Sequence, residues 1–409
     1  MTTLDDWTNE IHIGDAEATL ADMPADAVHM CMTSPPYFGL RDYGEDGQIG
    51  LEESLDAYID ELVAVFKEVR RVLRPDGVAW LNLGDSYAGS GTTSNEGFNE
   101  RTGNSPGERH QEQGRPDKRV GQSLGRKNKM LVPHRVAIAL QDDGWIVRND
   151  VTWVKPNPMP SSVKDRLNTT TEQVFHLTPE PDYWYDLDAI REPHATAEHH
   201  ERYHGNGQTR PKQDAAREEQ PVQHELGQEN TGCHPAGKNP GDVFEVTTKP
   251  FPEAHFAVYP PELVEKPLKA TCPPKVCSEC GSPYERETER EKITRHGSGD
   301  HTVNPGKSNS NETVADCPDN YAGVSITHKG WTPTCDCDTD ATEPGIALDP
   351  FAGAGTTCLV AKRHGRRFVG IDLNEEYVAM AQKRLGLTVD NPEYVREDDV
   401  VGLEAFADD

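Results

Sequence analysis

The sequence predicts an α/β fold, a parallel sheet covered by helices, and three observations carry that prediction. Short apolar strands alternate with an amphipathic helix between residues 11 and 85. The alternation returns between residues 133 and 177. Residues 345–386 read strand, glycine loop, helix, strand, helix. Strands that alternate with helical patterns imply βαβ units and therefore parallel pairing. A chain of 409 residues can form one large α/β domain with insertions, or two domains.

The elements follow in order. "IHIGDAEATL" opens with a strand that ends at Gly14-Asp15, and "AVHMCMT" is a short buried strand. Ser54 caps a helix expected to run to about Arg74, with Leu55, Ile59, Leu62, Val63, Phe66, Val69 and Leu73 on one face. Asp56, Asp60 and Glu61 lie early in it and Lys67, Arg70, Arg71 and Arg74 late, which suits the helix dipole. "PDG" closes the helix and "VAWLNLGD" is the next strand. Residues 86–129 turn polar and glycine-rich and read as a mobile loop; Arg115 to Lys129 holds six basic residues and one acidic. A helix in "PHRVAIALQDDG" and strands in "WIVRNDVTWVK" and "EQVFHL" follow, the last after the turn-rich "PNPMPSSVKDR". Residues 193–242 are again polar, and the block 272–340 holds six of the nine cysteines.

Charge and composition limit the function classes. Acidic residues outnumber basic ones 70 to 41, for a formal charge of -29. Such a field ordinarily repels a polyanion. An acid-rich, lysine-poor surface is also the pattern of proteins from very salty cytoplasm. At 1 M salt the Debye length is about 3 Å, and only locally paired contacts then govern association. Nucleic acid therefore stays open as a partner. The lack of an 18-residue apolar run or a charged-then-apolar leader predicts a soluble, cytoplasmic protein without a membrane partner.

Two loops carry chemistry. In "CMTSPPYFGL" a buried strand ends in a proline-fixed turn bearing a serine and an aromatic ring. In "IALDPFAGAGTT" a strand ends in Asp349, and Gly353 and Gly355 lead into a helix opening at Thr356-Thr357. A second strand, "RFVGID", ends in Asp372, nineteen residues after Gly353. Glycines let the backbone approach a ligand, and an acid ending the second strand can bind ribose hydroxyls. The spacing fits a nucleoside-type cofactor at the carboxyl edge of a parallel sheet. The Lys-Ser/Thr of a phosphate-binding P-loop is missing, and "DPFAGAG" departs from G-x-G-x-x-G.

"DPFAGAGTT" together with "TSPPY" resembles the DNA amino-methyltransferases, which use S-adenosylmethionine. The likeness covers roughly residues 10–85, 130–190, 250–270 and 345–386, including "IGDA", "RRVLRPDGVAWLNLGDSY", "DVTWVKPNPMPSSVKDR" and "HFAVYPPELVEKPL" from His255. The resemblance implies a Rossmann-like methyltransferase sheet. Its catalytic loop lies some 300 residues before the cofactor loop, similar to the circularly permuted beta group. It assigns Asp349, Phe351, Gly353, Gly355 and Thr356 to the cofactor, with Asp372 on its ribose and Asp15 near its adenine. Ser34, Pro35, Pro36 and Tyr37 would hold a flipped base. The Ser34 hydroxyl and a backbone carbonyl would accept the hydrogens of its amine, and Tyr37 would stack on its face. Positioning and desolvation would do most of the catalysis. Carbon-5 methylation needs a nucleophilic cysteine that follows proline in that family, and the chain has no Pro-Cys dipeptide.

Within the family, Ser at the first motif position leans toward cytosine N4, and Asp or Asn toward adenine N6. The resemblance thus implies N4-cytosine methylation of duplex DNA. Salt-adapted archaeal members suggest a palindrome such as CTAG, and a cognate restriction endonuclease is a candidate partner. Adenine N6, an RNA or protein substrate, and an inactive zinc-stapled DNA-binding protein are the alternatives. The implied layout is a catalytic half at 1–190, with a mobile basic loop at 86–129. A target-recognition insertion follows at 191–250, a return segment at 251–271, a cysteine-rich insertion at 272–340 and a cofactor half at 341–409. Candidate DNA contacts are Arg115, Lys118, Arg119, Arg126, Lys127 and Lys129 in the basic stretch, with Lys155 and Asn157 of "KPNPMP".

Cys277-x-x-Cys280 and Cys335-x-Cys337 can make a four-thiolate structural zinc site. The first spacing is that of a knuckle; the second is tight, and 54 residues intervene. Cys272, Cys317, His296 and His301 are possible substitutes, and unconnected cysteines are the other reading.

Overall fold

The computed structural model describes residues 4–88, 124–193, 236–249, 258–292 and 324–387. Two compact units emerge: Met1–Asp186 with Gly241–Glu285 and Pro333–Asp409, and Leu187–Pro240 with Arg286–Thr332. The first unit takes in residues 1–186 of the expected catalytic half together with all of the expected cofactor half at 341–409, and the cysteine-rich block is divided between units.

The larger unit is built on an eight-stranded sheet. Its strands are β1 (Glu10–Ile13), β2 (Val28–Thr33), β3 (Leu73–Leu83), β4 (Ile146–Val154), β5 (Thr171–Thr178), β6 (Val243–Glu245), β11 (Ile346–Asp349) and β12 (Arg367–Asp372). Their spatial order is β1-β12-β11-β2-β3-β5-β4-β6. Five neighbours, from β1 to β3, run parallel. β5 is antiparallel to both β3 and β4, the one reversed strand in a sheet that is otherwise parallel as expected. The physical reason is the connection: Lys155–Thr170 holds no helix, and without a helical crossover β5 returns against β4.

All six residues of β2 are buried. Their alternation divides them between two cores, as a sheet covered on both faces requires. Cys31 joins the core under α1 (Ala16–Ala21), α2 (Leu55–Val72) and α3 (Val132–Asp142), with Leu20, Tyr58, Phe66 and Leu140. Met30 and Met32 join the core under α4 (Pro261–Thr271), α5 (Thr356–Arg363) and α6 (Glu375–Arg384), with Leu263, Leu359 and Val378.

Ser54 caps α2 as expected, its hydroxyl accepting from Ala57 N at 3.1 Å. The helix ends at Val72, two residues before the expected Arg74. The chain is already extended at Leu73, and Pro75 disfavours helical dihedrals at Arg74, so the helix cannot run to the expected end. "PDG" then falls at a register irregularity of the β2–β3 ladder. At the ends of the polar 86–129 stretch, Ala88 and Asn128 bond across a short bridge at 2.8 Å. Residues 89–123, with Arg115, Lys118 and Arg119, lie outside the described residues, as do 194–235, His255, His296, His301 and Cys317.

The smaller unit contains most of a two-stranded ribbon, β8 (Tyr284–Lys292) and β9 (Val324–Pro333), from Arg286 on the first strand to Thr332 on the second. The Arg286 guanidinium lies 4.8 Å from the centre of the Trp331 ring. Among the described residues no helix is long and apolar enough to cross a membrane.

Candidate active site

The strand order fixes where a ligand fits. From β11 the chain crosses through α5 to β12 on one side; from β2 it crosses through α2 to β3 on the other. Between β11 and β2 the winding direction reverses, and the loops leaving the two strands diverge to open a crevice at their carboxyl ends. A cleft open to solvent occupies that crevice. Gly14 and Asp15 after β1, Ser34 and Pro36 after β2, Pro350–Gly353 after β11 and Asp372–Asn374 after β12 line it.

Asp349 is the buried hub of this edge. Its Oδ1 accepts from Thr33 Oγ1 at 2.7 Å and from Phe351 N at 3.2 Å. Its Oδ2 accepts from Tyr259 OH at 2.9 Å. Thr357 Oγ1 lies 2.5 Å from Tyr259 OH and donates to Met32 O at 2.9 Å. The last residue of β2, the strand β11 and the start of α5 are thereby locked together. Burial pushes the Asp349 carboxyl up to about 6, against the opposing pull of its donors.

The glycine loop is shaped by Asp372. Its Oδ2 accepts from Gly353 N at 2.7 Å and its Oδ1 from Asn374 N at 2.9 Å, so one carboxylate sets the backbone of two loops. Burial holds the carboxyl above the usual range. Gly353 has φ +51°, and a Cβ there would meet nothing within 4 Å, leaving an open backbone edge. Gly355, at φ +71°, starts α5 in the left-handed region, where a Cβ would stand 3.0 Å from Ala381. Thr356 is buried and its Oγ1 accepts from Arg384 at 2.9 Å. Asp15 caps α1, accepting from Ala18 N at 2.9 Å, and Gly14 N donates to Asp372 O at 3.0 Å.

The proline turn stands opposite. Tyr58 OH of α2 donates to Pro36 O at 2.9 Å. Tyr37 OH donates to Glu172 Oε2 at 2.9 Å, with Asn82 Oδ1 3.2 Å away. The Tyr37 ring lies over Gly84, where a Cβ would come within 2.4 Å of Cε2. Ser34 Oγ reaches Tyr37 OH only at 3.4 Å, so the hydroxyl enters the cleft chiefly as an acceptor. Burial, and then the Glu172 carboxylate, push the Tyr37 phenol well up, so it is a neutral donor. Burial also pushes the Cys31 thiol well up, and a neutral buried thiol is no nucleophile.

Sequence reasoning missed Thr33, Asn82, Glu172, Tyr259, Asn374 and Thr357. Thr33, Asn82, Tyr259 and Thr357 carried a signal, since they fall in the quoted "TSPPY", "RRVLRPDGVAWLNLGDSY", "HFAVYPPELVEKPL" and "DPFAGAGTT" motifs, but no role was assigned to them; Glu172 and Asn374 sit in ordinary strand or loop patterns. Glu45 also escaped notice, although its Oε1 accepts from Asn374 Nδ2 at 2.7 Å.

The candidate DNA contacts are dispersed. Lys155 pairs with Glu172, its ammonium 4.3 Å from the Trp153 ring centre. Asn157 is bonded to Thr248, accepting from its N at 3.0 Å and donating to its O at 2.9 Å. Lys127 pairs with Asp165 at 2.6 Å and Lys129 with Asp85 at 3.5 Å, and Arg126 is exposed. Cys277, Cys280, Cys335 and Cys337 converge, with their sulfurs all within 4.8 Å of one another.

A nucleoside cofactor bearing positive charge fits the cleft. Among the described residues its lining carries Asp15, Glu45 and Asp372 and no lysine or arginine. That balance disfavours phosphate and suits a ligand with a sulfonium and an ammonium group.

The chain matches the family model described as DNA methylase over residues 28–277 and 340–383. It is 34% identical over 373 residues to the type II methyltransferase M.XycI of Xanthomonas campestris pv. cyanopsidis, covering 91% of this chain and 86% of that one. It is 30% identical to the type II methyltransferase M.SmaI of Serratia marcescens, covering 92% of this chain and 90% of the relative. Among solved structures, the PvuII DNA methyltransferase (cytosine-N4-specific) aligns with a TM-score of 0.49 and 16% identity, covering 95% of this chain and 88% of that one.

Proposed function

This chain belongs to the DNA methylase family, and from that premise we propose that it methylates the N4 amine of cytosine in a short duplex site, with S-adenosylmethionine as donor. The observation that carries the reading is the Thr33–Asp349 bond of 2.7 Å, which sets the serine-proline turn beside the glycine loop at one crevice. When bound, S-adenosylmethionine supplies a methyl group on a positively charged sulfur. Asp15, Asp372 and the Gly353 backbone edge would hold its nucleoside, and Glu45 adds negative charge to the same wall.

The chain's own residues do the rest. An exocyclic amine is a weak nucleophile because its lone pair is delocalised into the ring. Ser34 Oγ and the turn's carbonyl oxygens accept its hydrogens and so aim the nitrogen lone pair into the cleft. Tyr58 fixes that turn by its bond to Pro36 O, and Glu172 fixes Tyr37. Glu172 also neutralises Lys155, leaving the base side of the cleft without a free charge at this point. Tyr37 offers its ring to the flipped base, a contact worth about 1–3 kcal/mol. Ser34 favours cytosine over adenine on the family pattern quoted above.

Incubation with radiolabelled S-adenosylmethionine and unmethylated duplex DNA in molar KCl, followed by digestion to nucleosides, tests this. Labelled N4-methylcytosine is the expected product. Labelled N6-methyladenine would keep the platform and overturn the role given to Ser34. Bound cofactor without labelled DNA would move the substrate to RNA or protein.

A further inference from the structure

Far from the cleft, at the amino-terminal edge of the same strands, lies the thiol cluster. We propose that Cys277, Cys280, Cys335 and Cys337 hold one structural Zn²⁺, and that this metal clamps the sheet at the seam between β2 and β11. Their four sulfurs lie within 4.8 Å of one another. A tetrahedron with Zn–S bonds of ~2.3 Å has edges of ~3.8 Å. Four soft thiolates select zinc among common divalent ions and fill its tetrahedron, which leaves no open position for catalysis.

Local structure presents the sulfurs from two directions. Cys277 ends β7 (Val276–Cys277), which pairs antiparallel with β10 (Thr342–Glu343). The chain then turns back through Cys280, with Gly281 N donating to Cys277 O at 2.8 Å. Gly281 sits at φ +68°, a left-handed position that closes the turn. Ser282 Oγ is 3.2 Å from Cys280 Sγ, in reach to donate to a thiolate. Beside the second pair, Thr334 Oγ1 donates to Pro283 O at 2.7 Å and holds that segment against the first.

The cluster is wired to the sheet. His29, buried in β2, donates from Nε2 to Gly281 O at 3.0 Å, and its Nδ1 accepts from Ile346 N at 3.1 Å. One imidazole therefore joins the Cys277–Cys280 turn to both β2 and the first residue of β11. Arg74 in β3 donates to Cys280 O at 3.0 Å. The three strands that flank the switch point, β11, β2 and β3, are thus all tied to this one turn. Between Pro273 and Glu285 the buried apolar residues are Val276, Cys277, Pro283 and Tyr284, too few to form a core. A metal supplies the missing folding energy.

The proposal does not rest on the methylated base, and its test does not read activity. The full chain, purified from zinc-supplemented medium under reducing conditions, is expected to carry about one zinc per chain by elemental analysis. Replacing zinc with Co²⁺ should give the intense visible bands of a tetrahedral thiolate site. Cys280→Ser and Cys337→Ser should each lose the metal or the bands. If those variants fail to fold, a strong chelator added to the native protein should expose the four thiols to alkylation and lower the Tm. His29→Phe should keep the metal but shrink the chelator's effect on Tm, because the tie to β2 and β11 is cut. Zinc far below one per chain, a Co²⁺ spectrum without tetrahedral bands, or disulfides among the four cysteines by mass would overturn the site. An unchanged chelator effect in His29→Phe would overturn the clamp.

Discussion

The turn after β2 and the turn after β11 face each other across the cleft, yet they are held in different ways. Ser34–Tyr37 is stiffened by two prolines and braced from outside, by Tyr58 on Pro36 O and by Glu172 on Tyr37. Asp349–Gly355 is held by its own strands' carboxylates, with Asp349 and Asp372 each fixing backbone N–H groups. The first turn keeps a side-chain oxygen free for the cleft; the second keeps a bare backbone edge. A surface that must orient a reacting group spends side chains, and one that must admit a ligand closely spends glycines.

If that division holds, damage to the two turns separates turnover from binding. Asp372→Ala removes the acceptor of two backbone N–H groups and should weaken cofactor binding about 100-fold, near 3 kcal/mol, as read by titration calorimetry. Its turnover at saturating cofactor should change far less. Ser34→Ala should do the reverse, lowering kcat on the order of 100-fold with the cofactor Kd unchanged. Equal effects of both variants on both quantities would dissolve the division.

Asp349 sharpens the same contrast through pH. Its folded-state pKa of about 6 exceeds the ordinary value of 3.8, so the native state binds the extra proton. Its contribution to stability is full below about pH 4 and is lost as pH rises through 6. Asp349→Asn cannot titrate. Relative to this variant, the native protein should be about 2 kcal/mol better off at pH 4 than at pH 8. Denaturant titrations at both pH values read the difference; a trend of opposite sign would mean the three donors hold the carboxylate charged.

Gly84→Ala tests the outside brace. The added carbon meets the Tyr37 ring, and kcat should fall about tenfold while cofactor affinity stays, from a misplaced platform costing near 1.4 kcal/mol. The smallest effect belongs to Asn157→Ala, which frees Thr248 and should cost about 1 kcal/mol of stability with no preferential loss of catalysis.

Local signals were sufficient for the apolar strands, for α2 with its Ser54 cap, and for both loops, because periodicity and turn chemistry are written within a few residues. They were insufficient wherever a partner lies far along the chain. Nothing near Glu172 announces Tyr37, 135 residues away, and nothing near Thr33 announces Asp349, 316 residues away. Lys155 read as a candidate DNA contact, and its pairing with Glu172 on the neighbouring strand β5 was not visible locally. The orientation of β5 itself was hidden, since an apolar run looks the same in either direction.

The pairing of β2 with β11 also governs when the protein can exist as an enzyme. A ribosome adding about 5–20 residues per second needs on the order of tens of seconds to pass from one strand to the other. Throughout that interval β2, buried on both faces in the finished sheet, lacks its neighbour and presents a naked apolar edge. Closure then pays the entropy of a very long loop, which places the step late and makes it slow. The nascent chain thus lacks the Thr33–Asp349 junction until its last sixth arrives, and β2 stays open along one edge until then.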